Sequence, residues 1–273
     1  MSVPVFWSPS LGAGSDAGHV LVLDEPEGHH AAVVRRVQVG ERVRVTDGHG
    51  SYVEGLAAVV GDRSVEVAVD RRESVPVPQP RLTVVQALPK RERAQLTVQA
   101  LVEVGVDRVV PWASERSQVR VTGERGERLV ARWRAWAAEA GKQARRSWFC
   151  EVADLAATAE VTQMLADADV GLVLHEEADD PLGGVSQPSA GEVVLVIGPE
   201  GGLGEAELAA LGVATSLSGA LRGSDAGSRP RNAPLKDAVR AVRLGDTVLR
   251  TSTAGAVAAG VVLAQTRWRS ATS

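Results

Sequence analysis

The stretch Val193–Glu205, V-V-L-V-I-G-P-E-G-G-L-G-E, constrains this chain more than any other. Five consecutive apolar residues, Val193–Ile197, offer no polar face to solvent, so they suit a strand covered on both sides, as in parallel α/β sheets. Gly198, Gly201, Gly202 and Gly204 then break the strand and let a ligand lie against bare peptide groups, while Pro199 stiffens the entry. Glu205 and Glu207 suit the first turn of a following helix. Open α/β sheets place ligands at the carboxyl ends of strands, which makes this a candidate ligand loop. The spacing does not fit the dinucleotide fingerprint G-x-G-x-x-G, and a G-x-x-x-x-G-K-[ST] phosphate loop needs a lysine that is absent. Glu200 also argues against an anion. A tight strand-to-helix turn with no ligand stays open at this point.

Composition narrows the class. The 273 residues, 44% hydrophobic and 23% charged, are enough for one large or two modest globular domains. No stretch approaches the ~18 apolar residues of a membrane span, and Pro4, Phe6 and Trp7 stand where a secretory signal would place a basic start and an apolar run. A cytoplasmic protein is expected. Cys150 is the single cysteine and the five histidines show no ligand spacing, so neither a disulfide nor a metal centre is expected. The net charge of −4 hides an asymmetry: Glu151–Ala210 holds 13 acidic and no basic residues, which leaves +9 on the rest of the chain. That surplus concentrates in Glu115–Arg146, with nine basic residues, and Leu217–Arg243, with six. Clustered arginine suits a polyanion partner such as nucleic acid, although a solvated helix face is the simpler alternative.

Taken in order, residues 1–75 alternate apolar and polar side chains in short runs split by turns such as Asp47-Gly48, which predicts a small antiparallel β domain. Within it, His29–Arg36 reads as a helical turn or two with Arg35 and Arg36 at an exposed end. Residues 76–80, rich in proline, predict a stiff linker. From 81 to 273 the pattern becomes βα repeats. Strands are expected at Arg81–Leu88, Asp107–Trp112 and Gly171–Glu176, and helices at Lys90–Val104, Arg125–Arg146, Leu155–Ala168 and near the C-terminus up to Trp268. Leu96, Ala100, Leu101 and Val104 are the expected buried face of the first of these helices, and Trp133 with Trp136 that of the second. Residues 216–239, rich in Gly, Ser, Pro and Arg, predict a flexible basic insertion.

Two glycine-containing loops thus follow strands, I-G-P-E-G-G-L at Ile197–Leu203 and L-G-D-T-V-L-R-T-S-T-A at Leu244–Ala254. Together they resemble the paired loops of the RsmE-type 16S ribosomal RNA uridine N3-methyltransferases, members of the SPOUT superfamily. Glu103-Val-Gly-Val106, Ser114-Glu-Arg116, Glu139–Arg146 and His30–Asp47 extend the resemblance over nearly the whole chain. The chain departs from the family pattern at Asp246, Thr247 and Ser252, where Pro, Arg and Glu are usual. The resemblance implies a small PUA-like RNA-binding barrel followed by an α/β SPOUT domain with a deep trefoil knot. It implies S-adenosylmethionine in the knot, held by Leu174, His175, Ile197, Gly198, Pro199, Gly201, Gly202, Leu244, Gly245, Val248, Leu249, Thr251 and Thr253. A neutral adenosyl group read by peptide groups agrees with the missing lysine. Arg250 is the implied catalytic cation and Glu200 a candidate base or orienting group, with loop bracing as its simpler role. Arg35, Arg36, Arg116, Arg145 and Arg146 are the implied contacts to 16S rRNA of the small ribosomal subunit, and a homodimer is implied. A SPOUT enzyme acting on another RNA position, such as a ribose 2′-oxygen, a non-catalytic RNA-binding assembly factor and a plain nucleotide-binding domain are the rival readings.

Overall fold

The computed structural model describes residues 3–9, 11, 15–119, 121–213 and 239–269. The basic insertion expected at 216–239 lies, apart from Val239, outside the described residues. The chain forms two compact units, one of residues 1–78 with 138–149 and one of 79–137 with 150–273.

In the first unit, β1 (Val5–Trp7), β2 (Val20–Leu23), β3 (Arg42–Thr46), β4 (Ser51–Val60) and β5 (Val65–Ser74) build one sheet in the order β1-β3-β4-β5-β2. A short helix α1 (Glu27–His29) runs on as a π-helical turn, His30–Val34. Period-two patterning places Val65, Val67 and Val69 of β5 in a core with Phe6, Leu23, Val43, Val45 and Val53. Pairing is antiparallel except at β1, which runs parallel to β3. The alternation could not show this, because β1 and β2 occupy opposite edges of the sheet and no tight turn sets the direction of β1.

Register puts Glu54 on β4 directly across from Arg44 on β3 and Arg71 on β5. The buried Glu54 carboxylate receives hydrogen bonds from Arg44 at 2.6 Å and Arg71 at 2.8 Å. Burial pushes the Glu54 carboxyl up, but the hydrogen bonds and charges of Arg44 and Arg71 outweigh it and hold it below the usual carboxylate value. The inverse arrangement occurs at Lys142, a buried ammonium 2.6 Å from Glu27 and 2.7 Å from Glu139. Burial lowers its pKa, and the two carboxylates more than compensate, so the ammonium is held above its usual value. Backbone bonds from Phe149 N to Gly48 O and from Gly50 N to Ser147 O, both 2.8 Å, tie the 138–149 segment into the same unit.

The second unit contains β6 (Arg81–Ala87), α2 (Arg91–Val104), β7 (Arg108–Trp112), β8 (Glu151–Val152), α4 (Thr158–Asp167), β9 (Val170–Leu174), β10 (Glu192–Ile197), α5 (Glu205–Ala210), β11 (Arg240–Val242) and α6 (Thr251–Gln265). Helix α3 (Glu124–Gln143) begins in this unit and ends in the first. The sheet has six strands in the order β11-β9-β10-β6-β7-β8, and every pair is parallel. All of Val193–Ile197 is buried, as a strand with both faces covered requires. Val194 and Val196 join a core with Leu165 of α4 and Leu208 of α5. On the opposite face, α6 packs against β6, β10 and α2. Gly255 permits that approach, since a Cβ there would stand 2.7 Å from Gln86 Oε1.

Two expectations about helix faces change. On α2 the buried stripe is Ala94, Val98, Leu101 and Val102, with Leu96 61% exposed. Ala100 and Val104 of the expected face are only half-buried. On α3, Trp133 is buried and Trp136 only half-buried. Among the described residues no helix is long and apolar enough to cross a membrane.

Glu54→Gln should destabilise the first unit at pH 7 by on the order of 1–2 kcal/mol, since Arg44 and Arg71 keep partial access to water. A lowered folded-state pKa stabilises above the unfolded value, so the wild type should lose this contribution as pH falls below about 4.5, and the variant should show no such loss. Chemical denaturation across pH checks both.

Candidate active site

Because β11, β9 and β10 are parallel, their carboxyl ends emerge at one edge. Register pairs Val242 with Leu174, Val173 with Val196 and Ile197 with Gln86. The segments after these strands enclose a cavity of about 580 Å³, formed wholly within the second unit.

The structure gathers almost all of the expected site residues there. Leu174, His175, Ile197, Gly198, Pro199, Glu200, Gly201, Gly202, Leu244, Gly245, Val248, Leu249, Arg250 and Thr251 all line it. Thr253 does not: it is exposed in the first turn of α6, and its amide donates to the Arg250 carbonyl at 2.8 Å. Helical geometry turns a residue two positions past Thr251 about 200° away from it, and Thr251 is the one that faces the loop. Arg116, expected among the RNA contacts, lines this cavity too. Glu177, Leu203, Arg243 and Ala254 also line it without having been singled out from sequence.

The two loops are bonded to one another. The buried Thr251 hydroxyl donates to the Gly198 carbonyl at 3.1 Å. Gly202 N donates to Pro199 O at 3.0 Å, closing a turn in which Gly202 takes φ +69°. On the other wall, His175 N donates to Val242 O at 2.9 Å. His175 Nδ1 accepts from the Glu177 amide at 3.2 Å, which assigns the ring proton to Nε2. Arg243 pairs with Asp246 at 2.9 Å, so this departure from the family pattern neutralises a neighbouring cation. Thr247 is exposed and Ser252 buried. The walls are thus peptide groups, small apolar side chains and paired charges. Arg250, Glu200, Glu176 and Glu177 are the exceptions: all four are exposed, and none of these side chains makes a hydrogen bond or ion pair among the described residues.

The remaining arginines fall in the first unit. Arg35 and Arg145 line one polar cavity of about 150 Å³ with His30 and Lys142, a juxtaposition that no sequence spacing reports. Arg36 is exposed beside it in sequence, with φ +55°, and Arg145 has φ +54°. Arg146 Nε donates to the Trp148 carbonyl at 2.8 Å.

Comparison with known proteins agrees with this geometry. The RNA methyltransferase domain profile matches residues 76–217, and the RNA methyltransferase PUA domain profile matches residues 23–69. A ribosomal RNA small subunit methyltransferase E of Mycobacterium tuberculosis (strain CDC 1551 / Oshkosh) is 38% identical over 263 residues, covering 94% of this chain and 92% of that protein. The chain belongs to the ribosomal RNA small subunit methyltransferase E family.

A more distant member of that family, from Bacillus subtilis (strain 168), is 28% identical over 196 residues, with 67% of this chain and 74% of that protein covered. The ribosomal RNA small subunit methyltransferase E of Neisseria gonorrhoeae, solved bound to S-adenosyl methionine, shares the fold with a TM-score of 0.77 at 23% identity, covering 96% of this chain and 98% of that one. A Legionella pneumophila methyltransferase solved with bound SAM gives 0.76 at 23% identity, covering 97% and 99%. The fold is therefore α/β, with a PUA-like N-terminal domain ahead of a methyltransferase domain.

Two loop glycines separate conformation from space. A Cβ at Gly202 or at Gly245 would meet nothing within 4 Å, but only Gly202 has positive φ. Gly202→Ala should therefore cost about 1–2 kcal/mol, whereas Gly245→Ala should leave stability unchanged or raise it by up to about 1 kcal/mol. Thermal unfolding of the two variants checks this.

Proposed function

We propose that the cavity at the ends of β9, β10 and β11 binds S-adenosylmethionine, and that the chain uses it to methylate N3 of a specific uridine in the decoding region of 16S ribosomal RNA. The observation that carries the reading is Arg250, an arginine without a partner among the described residues, which lines a cavity walled largely by peptide groups. The cavity falls within the roughly 300–1,000 Å³ of small-molecule sites. Its glycines expose peptide donors and acceptors suited to a neutral adenine. Leu174, Ile197 and Leu249 offer apolar contact to the ring, and the residues present therefore fit the cofactor.

Bound S-adenosylmethionine supplies an electrophilic methyl group on sulfur. The protein's part is to hold the uracil in line with it and to handle the N3 proton. N3 lies on the pairing edge, so the base enters unpaired or flipped. Arg250 stabilises the negative charge that develops on the uracil as the proton leaves. Glu200 makes no bond that braces its own loop, which supports a role toward substrate, accepting or orienting that proton.

In this reading residues 81–273 form a SPOUT domain with a trefoil knot, joined by 76–80 to an RNA-binding domain of residues 1–75. The path of the chain supports the knot: β11 lies beyond β9, yet α6, reached through residues 243–250, packs back on β10 and β6. Arg35, Arg36, Arg116, Arg145 and Arg146 hold RNA phosphates, positioning the substrate rather than reading its sequence. A homodimer is proposed on the apolar character of α6, where Val257 is 42% exposed. A substrate in the small ribosomal subunit supports a cytoplasmic location for the protein.

Nucleoside mass spectrometry of small subunits treated with enzyme and cofactor should show 3-methyluridine; a ribose-methylated product would instead support the rival SPOUT reading. Arg250→Ala should lower kcat by about 100-fold or more while cofactor affinity, measured by calorimetry, is kept within a few-fold. Arg35→Ala and Arg145→Ala should each weaken RNA binding uniformly across sequences and reduce the slope of log K against log salt by about one.

A further inference from the structure

We infer that Glu207 is a positioning residue that sets Arg116 over the glycine loop, so that loop and arginine present one surface to the anionic RNA substrate. The inference rests on the reading of Arg116 as an RNA contact.

Glu207 is the third residue of α5, whose N-cap is Gly204. At that position a glutamate ordinarily turns back to the cap or points to water. Here it is 4% exposed and reaches across to the segment after β7. One carboxylate oxygen accepts from the Glu115 amide at 2.9 Å and the Thr158 hydroxyl at 3.3 Å. The other accepts from the Ser114 hydroxyl at 3.0 Å. Trp112 Nε1 donates to Thr158 Oγ1 at 3.4 Å, which directs the Thr158 proton toward Glu207. No described cation pairs with this carboxylate. A buried acid held only by dipoles is tolerated because both of its oxygens are served by oriented donors.

The consequence falls on the next residue. Ser114 and Glu115 are anchored, and Ser117 N closes the turn onto Ser114 O at 3.1 Å, so the backbone of Arg116 is fixed from both sides. Its side chain then runs over the loop. A Cβ on Gly201 would stand 3.3 Å from Arg116 Cβ, and one on Gly204 would stand 3.1 Å from its guanidinium. The guanidinium's own hydrogen bond, to Gly201 O, is 3.5 Å long and too weak to hold it. Arg116 is therefore aimed by its backbone anchor, and that anchor is Glu207. Because Glu207 sits three residues past Gly204, the same carboxylate couples the end of the loop to the arginine that covers it.

The test is a double-mutant cycle on steady-state methylation of small subunits, with cofactor affinity measured separately. Glu207→Ala and Arg116→Ala should each raise KM for RNA by roughly tenfold, with the cofactor dissociation constant within about twofold. The double variant should be no worse than Arg116→Ala alone, because Glu207 acts through Arg116. Glu207→Gln should restore near-normal KM, since its amide oxygen can accept from Glu115 and Thr158 while its NH2 donates to Ser114 Oγ. Multiplicative effects in the double variant, or a Glu207→Gln as impaired as Glu207→Ala, overturn the inference. An Arg116→Ala with unchanged KM overturns the RNA-contact reading itself, and the inference with it. Should Glu207→Ala fail to fold, Ser114→Ala removes one anchor bond and enters the same cycle, with the same outcomes deciding.

Discussion

Everything in the second unit depends on parallel pairing at β11, β9, β10 and β6. Parallel strands cannot be joined by hairpins, so each connection crosses a face of the sheet and every carboxyl end emerges at the same edge. Three segments distant in sequence, 174–180, 197–204 and 243–251, therefore meet without any of them being individually stable. The hydrogen bond from Thr251 to Gly198 ties two of them, and the His175 amide to Val242 ties the third. Gly255 completes the arrangement, because any side chain there would push α6 off Gln86 and Ile197.

The opposite edge of the same sheet puts three carboxylates to structural use. Asp169 accepts from the Glu192 amide at 2.9 Å, Glu192 from the Thr83 hydroxyl at 2.7 Å, and Asp107 from the Leu82 amide at 2.9 Å. Arg267 closes on Asp107 and the Pro80 carbonyl. These carboxylates serve strand beginnings, where unpaired amides need acceptors. The excess of acid in Glu151–Ala210 is in part a structural device of this kind. At the carboxyl edge Arg243 and Asp246 pair, while Glu176, Glu177 and Glu200 of the same stretch line the cavity.

The first unit uses charge in another way. Glu54 is one acid held between two arginines, and Lys142 one ammonium held between two carboxylates. Each lies in a place where a lone charge would be costly, and each joins elements that are far apart in sequence. Lys142 with Glu27 fixes the end of α3 beside the first residue of α1. That contact brings Arg35 and Arg145 to a single cavity. Both sides of it come from one folded unit, so the pair of cations is set by packing rather than by the binding of RNA.

The sequence by itself determined what depends on local pattern. Val193–Ile197 had to be a doubly covered strand, the glycines after it had to bend, and the missing lysine already spoke against a phosphate loop. The paired motifs at Ile197–Leu203 and Leu244–Ala254 named the family, and nearly all of their residues line one cavity. Tertiary structure decided what depends on neighbours. Apolar spacing showed that α2 had a buried face but not how the helix would be rotated in the fold, so Leu96 ended exposed. Alternation predicted an antiparallel β domain in residues 1–75, but not that its edge strand β1 would run parallel to β3. Motif matching put Thr253 in the site, where helical rotation turns it away, and did not show that packing lays Arg116 across the glycine loop. Glu207 read as an ordinary first-turn acid, and only the fold placed Ser114, Glu115 and Thr158 within its reach. Hydrophobic periodicity reports how one segment meets an interior; which polar groups meet there is settled only when the segments assemble.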